Sequence, residues 1–449
     1  MLSGLKSEFL TAVPLLFELC FSILIAMKKL RSIVARFSAD DLLRHAGILF
    51  SGMMVVNVCN MVFQMAVSRA LPKEEYALLA AFFGVLAIIQ RPLGTLTTGV
   101  NHYSSLLRQE GRVGDVKRLL RKWLLLMGGA GLFLGVVSVI FNEELSRFLH
   151  LSRVAPVVIA GALLPALFCS PVLVGVIQGL QYFGWRFFSS ISGALVRLGL
   201  GAGFVWFLYP ACGWAMLGHG LGIYASAGLL FLVLMRLLRG QEKSAEALPS
   251  MRFYMLKSFF VQAAYAVLMT ADVVMVKHYI PENTEFAYAA TLGRMVVFLS
   301  GAIASAMFPK VASCGSGSFE QYRVFLKSLG LTALCVAAAC AGCFLFSGLL
   351  SRILFGMVSA SDSLRAMIGW VSLVMGFSAL LNVVVQFLLA QRRFFPASSA
   401  IIFAGLYVVG VALFHENVWQ LISVAGVCNA GALLAGLYFS VRRRQSDSI

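Results

Sequence analysis

Apolar residues fill the chain in long unbroken stretches, parted by short polar turns in which basic residues dominate. A helix needs about 20 apolar residues to cross ~30 Å of hydrocarbon. Stretches of that length predict helices at 46–68, 76–100, 123–141, 154–180, 187–209, 214–235, 253–277, 286–309, 328–350, 366–390, 397–414 and 418–441. A transmembrane β-barrel would instead alternate polar and apolar positions over ~10-residue segments, and no such alternation occurs. The pattern therefore specifies an all-α polytopic membrane protein with about 12 transmembrane helices.

Composition agrees with that pattern. The chain is 60% hydrophobic and 12% charged, where a soluble protein carries about 25% charged residues; most of its surface must face lipid. The net charge is +17, which in a soluble protein would point to nucleic acid. Here the positive-inside rule explains it, and no nucleic-acid partner is expected. If the predicted helices start on the cytoplasmic side, the inner loops collect 25 Lys and Arg, against 7 (Arg69, Lys73, Arg147, Arg153, Lys277, Arg352, Arg365) on the outer side. Both ends of the helical core are thus expected in the cytoplasm. Residues 1–40 form an apolar and basic segment, read as an interfacial helix, an additional helix or an upstream-start extension; it lacks the basic n-region and A-x-A site of a secretory signal. The nine cysteines lie almost all in apolar runs, and the Cys340/Cys343 pair has no second pair or His at zinc spacing. Neither a metal nor any other cofactor is expected.

The two halves repeat. Ala70-Leu71-Pro72 matches Tyr279-Ile280-Pro281, Val176-Ile177-Gln178 matches Val384-Val385-Gln386, and Arg186-Phe187-Phe188 matches Arg393-Phe394-Phe395, at offsets of 209, 208 and 207. Six crossings return a chain to its starting side, so the repeat predicts two parallel six-helix bundles, over 41–235 and 253–441. A cytoplasmic linker (236–252) joins them, and a basic tail (442–449) follows. Parallel halves about an axis along the membrane normal are a transporter architecture, with the substrate site between them.

Three groups of residues carry a family resemblance: Arg69 to Tyr76 after the first helix; Gly175-Val176-Ile177-Gln178-Gly179 with Arg197; and Asp272-Val273-Val274, Ala287 to Arg294 and Phe308-Pro309 in the second half. Over about residues 40–441 the chain resembles the polysaccharide-unit flippases of the multidrug/oligosaccharidyl-lipid/polysaccharide exporter superfamily. The resemblance implies alternating access by two bundles in the bacterial inner membrane. It implies as substrate an oligosaccharide on undecaprenyl diphosphate, for O-antigen-type or other surface polysaccharide, with polymerase and glycosyltransferase partners. These motifs mark the superfamily better than the cargo.

Four charges fall inside the predicted spans: Arg91, Arg197, Arg294 and Asp272. Each costs at least ~2.5–3.5 kcal/mol at mid-bilayer unless it finds a partner or water. Asp272 and Arg294 lie within a turn of each other in depth, which predicts either an ion pair between the seventh and eighth spans or a cavity arginine whose availability Asp272 controls through protonation. Either way the interior keeps an excess of positive charge. Guanidinium binds phosphate oxygens bidentately, so Arg91, Arg197 and Arg294 are candidate contacts for a lipid diphosphate. Asn57, Gln178, Asn382 and Gln386 are candidates for sugar hydroxyls, although such amides also bind helices together. A proton- or sodium-coupled drug antiporter of the same fold is the alternative, for which an acidic interior is expected. A membrane polymerase or ligase lacks any visible triad or carboxylate pair; the protein is not expected to be an enzyme. The basic stretch Arg108 to Lys122 is read as an amphipathic helix on anionic membrane lipids.

Overall fold

A computed structural model describes residues 41–151, 154–240, 252–313, 319–391 and 393–446. The N-terminal segment 1–40, most of the 236–252 linker and the end of the tail lie outside the described residues. Among the described residues twelve longer helices follow one another: α1 (Asp41–Ala70), α2 (Lys73–Gln109), α3 (Val113–Ile140), α4 (Ala155–Gly179), α5 (Phe183–Phe207), α6 (Cys212–Leu237), α7 (Arg252–Tyr279), α8 (Glu285–Ser313), α9 (Phe319–Leu345), α10 (Asp362–Ala390), α11 (Ser399–Leu413) and α12 (Val418–Ser446). Short helices at Asn142–Phe148, Ser347–Phe355 and Phe394–Ala397 sit in the turns.

The chain marks its own helix ends. Pro72 follows the end of α1, because proline cannot continue a helix but suits the start of the next. Gly356, left-handed at φ 70°, closes the Ser347–Phe355 helix, the geometry in which glycine avoids a Cβ clash. Ser361 caps α10 by accepting a hydrogen bond from the Leu364 amide at 3.0 Å. Two boundaries differ from expectation. α2 runs on to Gln109 and α3 starts at Val113, so the basic stretch Arg108 to Lys122 is the overhang of two spanning helices and not a separate surface helix. α9 starts at Phe319, nine residues before the apolar run, because Glu320, Gln321 and Arg323 extend the helix beyond the bilayer core without needing lipid.

Neighbouring helices run antiparallel, so the α2–α3, α4–α5 and α10–α11 turns share one end with the last turn of α6 and the first of α7. That end carries Arg108, Arg112, Arg118 and Arg121 and is called the basic end. The two six-helix bundles meet along α2 and α7, which pack through their length. Gly84 admits Thr270 and Val274 near one end of this seam, and Gly99 admits Met255 near the other. α7 and α10 are mostly buried, whereas α3 and α9 expose Leu125, Leu132, Phe133, Leu331 and Leu334 to the surroundings, as lipid-facing helices must.

Small residues let membrane helices approach closely, and the glycine stripes on α5 and α6 do so in part. Gly201, Gly218, Gly220 and Gly222 are in close contact, whereas Gly199 and Gly203 face open space. A Cβ on Gly218 would land on the backbone of Gly201. Overpacking of this kind costs about 1–3 kcal/mol, so Gly218→Ala is expected to lower the melting temperature of the detergent-solubilised protein by several degrees. An unchanged melting curve would show that α5 and α6 are free to separate.

Candidate functional site

α5 is not a regular helix. From Arg197 to Ala202 it widens into a π-turn, a distortion that often marks functional sites. Arg197 lies ten residues, or ~15 Å, from the end of α5 opposite the basic one, near the middle of the helix. Its guanidinium stacks over the rings of Phe63 (4.2 Å) and Phe83 (5.0 Å) and donates from Nη1 to the Asn60 side chain at 3.0 Å. Gly222 on α6 leaves room for it: a Cβ there would come within 3.0 Å of the Arg197 Cβ. Nε is buried with no hydrogen-bond partner. Among the described residues no carboxylate pairs with it, so a cation sits in a box of two rings and one amide. Stacking on an aromatic face contributes about 0.5–2 kcal/mol, less than the cost of the charge at this depth.

Arg294 is treated differently. It pairs with Asp272 at 3.0 Å and also donates to the Thr270 carbonyl at 3.3 Å. Both partners are nearly buried, at 14% and 7% side-chain exposure, so the pair is shielded from water. Of the two readings for these residues, the ion pair is the geometry observed. Arg91 lies on α2 over the ring of Tyr265 at 5.1 Å, so a cation of the first half rests on a ring of the second. The Tyr265 hydroxyl donates to the Ser378 carbonyl, Ser378 donates to Asn429, and Asn429 donates to the Leu268 carbonyl. This chain holds the ring in place. Because α2 extends to Gln109, Arg91 is 18 residues, or ~27 Å, from either end of that helix. Two interior arginines, Arg91 and Arg197, thus remain without a carboxylate among the described residues.

The candidate amides do not converge. Asn60, level with Arg197, is the one bound to it; Asn57 is a turn nearer the basic end and half-buried. Gln178 lies at the last turn of α4, and Asn382 and Gln386 lie on the basic-end half of α10. Counted along their helices, those three stand roughly 15–20 Å closer to the basic end than Arg197. The hydropathy pattern also missed the aromatic half of the site. Phe63, Phe83 and Tyr265 look like core residues in sequence, and nothing there distinguishes a ring under a cation from a ring among leucines.

At the end opposite the basic one, the halves are closed against each other. Tyr76 stacks on Tyr288 at 4.5 Å, and its hydroxyl shares a 2.9 Å hydrogen bond with Thr291; Phe355 packs on both rings. Arg69 donates to the Ile353 carbonyl. His150 donates from Nε2 to the His278 carbonyl (3.0 Å), and His278 donates from Nδ1 to the Phe148 carbonyl (2.7 Å) while stacking on the Phe148 ring. Removing the His278 ring deletes one of these bonds and a stack. At about 1 kcal/mol per bond, His278→Ala is expected to raise amide exchange at residues 278–283 about fivefold. Unchanged exchange would mean that this latch contributes nothing to closure.

No protein-family model matches the sequence, and no curated protein matches it. Solved structures do. The chain superposes on an inward-facing multidrug-resistance transporter of the MATE family with a TM-score of 0.67 at 13% identity, covering 89% of this chain and 98% of that one. It superposes on the lipid II flippase MurJ in an inward closed conformation with a TM-score of 0.65 at 12% identity, covering 88% and 87%. A Pyrococcus furiosus transporter of the same superfamily, described by the reversed polarity of its binding pocket, gives 0.63 at 13% identity over 90% and 96%. At such identities the likeness is one of fold: two six-helix bundles arranged as in these transporters.

Proposed function

We propose that the protein is a flippase that carries a polyprenyl-diphosphate-linked oligosaccharide across the bacterial inner membrane by alternating access. One observation carries this reading: a guanidinium without a carboxylate partner, Arg197, stands in an aromatic box near mid-membrane. Such a charge repays its desolvation when an anion arrives, and a diphosphate offers oxygens for bidentate recognition. Arg91, nearer the basic end, gives the headgroup a first contact on entry from the cytoplasm. In this reading the sugars trail toward the basic end, past Gln178, Asn382 and Gln386. With the outer mouth latched, the conformation suits loading from the basic side, which positive-inside bias assigns to the cytoplasm.

Likeness to multidrug transporters supports the alternative, a cation or drug antiporter. That activity calls for an acidic interior, and here Asp272 is tied to Arg294. Glycosyltransferases would supply the lipid-linked substrate and a polymerase would consume it on the far side. Deletion in the native host is expected to remove surface glycan and to accumulate the lipid-linked precursor, with drug susceptibility unchanged. Intact glycan together with drug hypersensitivity would establish the antiporter instead.

A further inference from the structure

Arg197 does not occupy its box alone. His219 lies one turn before Gly222 on α6, and its ring meets Phe83 edge-on at 5.1 Å, so one phenyl ring contacts both the guanidinium and the imidazole. Nδ1 of His219 and Nε of Arg197 are both buried without a hydrogen-bond partner. Each orphaned nitrogen lacks the partner a buried polar atom ordinarily has, and a bound group that reached both would satisfy both. Arg197 Nε–H can only donate, so the bridging atom must accept. A phosphate oxygen, which is an acceptor alone, also requires a donor from His219.

We propose that His219 is the second ligand of the anion site and takes up a proton as the diphosphate binds. This rests on the flippase reading. Burial in an apolar box, and then repulsion by the guanidinium, favour the neutral imidazole while the site is empty. An incoming diphosphate reverses the local field, and a neighbouring anion favours the protonated ring. The other charged groups of the helices packed on α6 stand further off. α2 brings Glu75, which accepts from the Cys212 amide seven residues away (2.7 Å), with Glu74 beside it, and Arg91 toward the basic end. α5 brings Arg186, hydrogen-bonded to Ser190 at 2.6 Å. α4 has no Asp, Glu, Lys or Arg between Ala155 and Gly179. Arg197, on the same Phe83 ring, is therefore the charged group that stands beside His219.

The test is calorimetric titration of the full-length protein in nanodiscs with farnesyl diphosphate, in two buffers of different ionisation heat, which counts protons taken up on binding. Wild type is expected to take up about one proton more than His219→Gln near neutral pH, and to gain about 30- to 100-fold in affinity over that variant between pH 8 and pH 6. Ionisation of the ligand itself is common to both proteins and cancels in the comparison. Equal uptake by the two, with binding still lost in Arg197→Ala, overturns the role of His219 and leaves the flippase reading standing. Binding that ignores Arg197→Ala overturns both. Should His219→Gln fail to fold, spectra of ring-labelled histidine in the wild type decide: one of the six imidazoles must gain a proton on saturation, and none doing so contradicts the proposal.

Discussion

Arg197→Ala is expected to abolish glycan export while leaving a folded, membrane-inserted protein. The substitution removes the charge, the donors for phosphate and the stacking on Phe63 and Phe83 together. Hydrogen bonds to charged groups are worth about 1.5–3 kcal/mol each, so losing even one weakens diphosphate affinity about 10- to 100-fold. Stability should move little, because the variant also sheds a buried charge that only partly recovers its desolvation. Arg197→Lys separates charge from shape. Lysine keeps the positive charge but neither spans two phosphate oxygens in a plane nor stacks as guanidinium does, so it should retain a small fraction of export. Normal surface glycan in Arg197→Ala would remove the box from the transport path.

Asp272→Ala is expected to act in the opposite way, on stability first. Breaking a buried ion pair from one side costs about 3–5 kcal/mol, because the surviving charge is left in a dry environment. Arg294 would keep the Thr270 carbonyl and lose its counter-charge. A large fall in melting temperature and in yield should follow. Replacing the pair with apolar residues of similar size is often neutral, so Asp272→Leu with Arg294→Met should recover the fold. If export recovers with it, the pair is a strut between α7 and α8. If the fold recovers and export does not, the pair belongs to the transport cycle, as the second reading of these residues requires.

The architecture was legible in the sequence because lipid imposes a simple rule: every span must be apolar over about 20 residues. The repeat was legible for a related reason, since Pro72 and Pro281 punctuate the same turn in each half. Helix ends were less so; α2, α3 and α9 overrun their apolar runs where polar residues continue a helix into water. The depths of Arg197, Asp272 and Arg294 could be counted, and so could the meeting of the last two. What held Arg197 could not. By the spacing of the repeat, 209 residues, Phe63 in the first half stands where Asp272 stands in the second. One half thus meets its arginine with a ring and the other with a carboxylate. That difference leaves the first-half cation open to a ligand, and an apolar Phe among apolar neighbours gives no sign of it. His219 was hidden likewise, a single polar letter in a glycine stripe that packing alone seemed to explain.

The decisive measurement is an electron-microscopy structure of the full chain with undecaprenyl diphosphate bound. The phosphates should lie within hydrogen-bonding distance of the Arg197 guanidinium, beside Phe83, with the isoprenoid chain leaving toward lipid. A diphosphate density elsewhere, with the box beside Phe83 empty or filled by an acyl chain, would contradict the account.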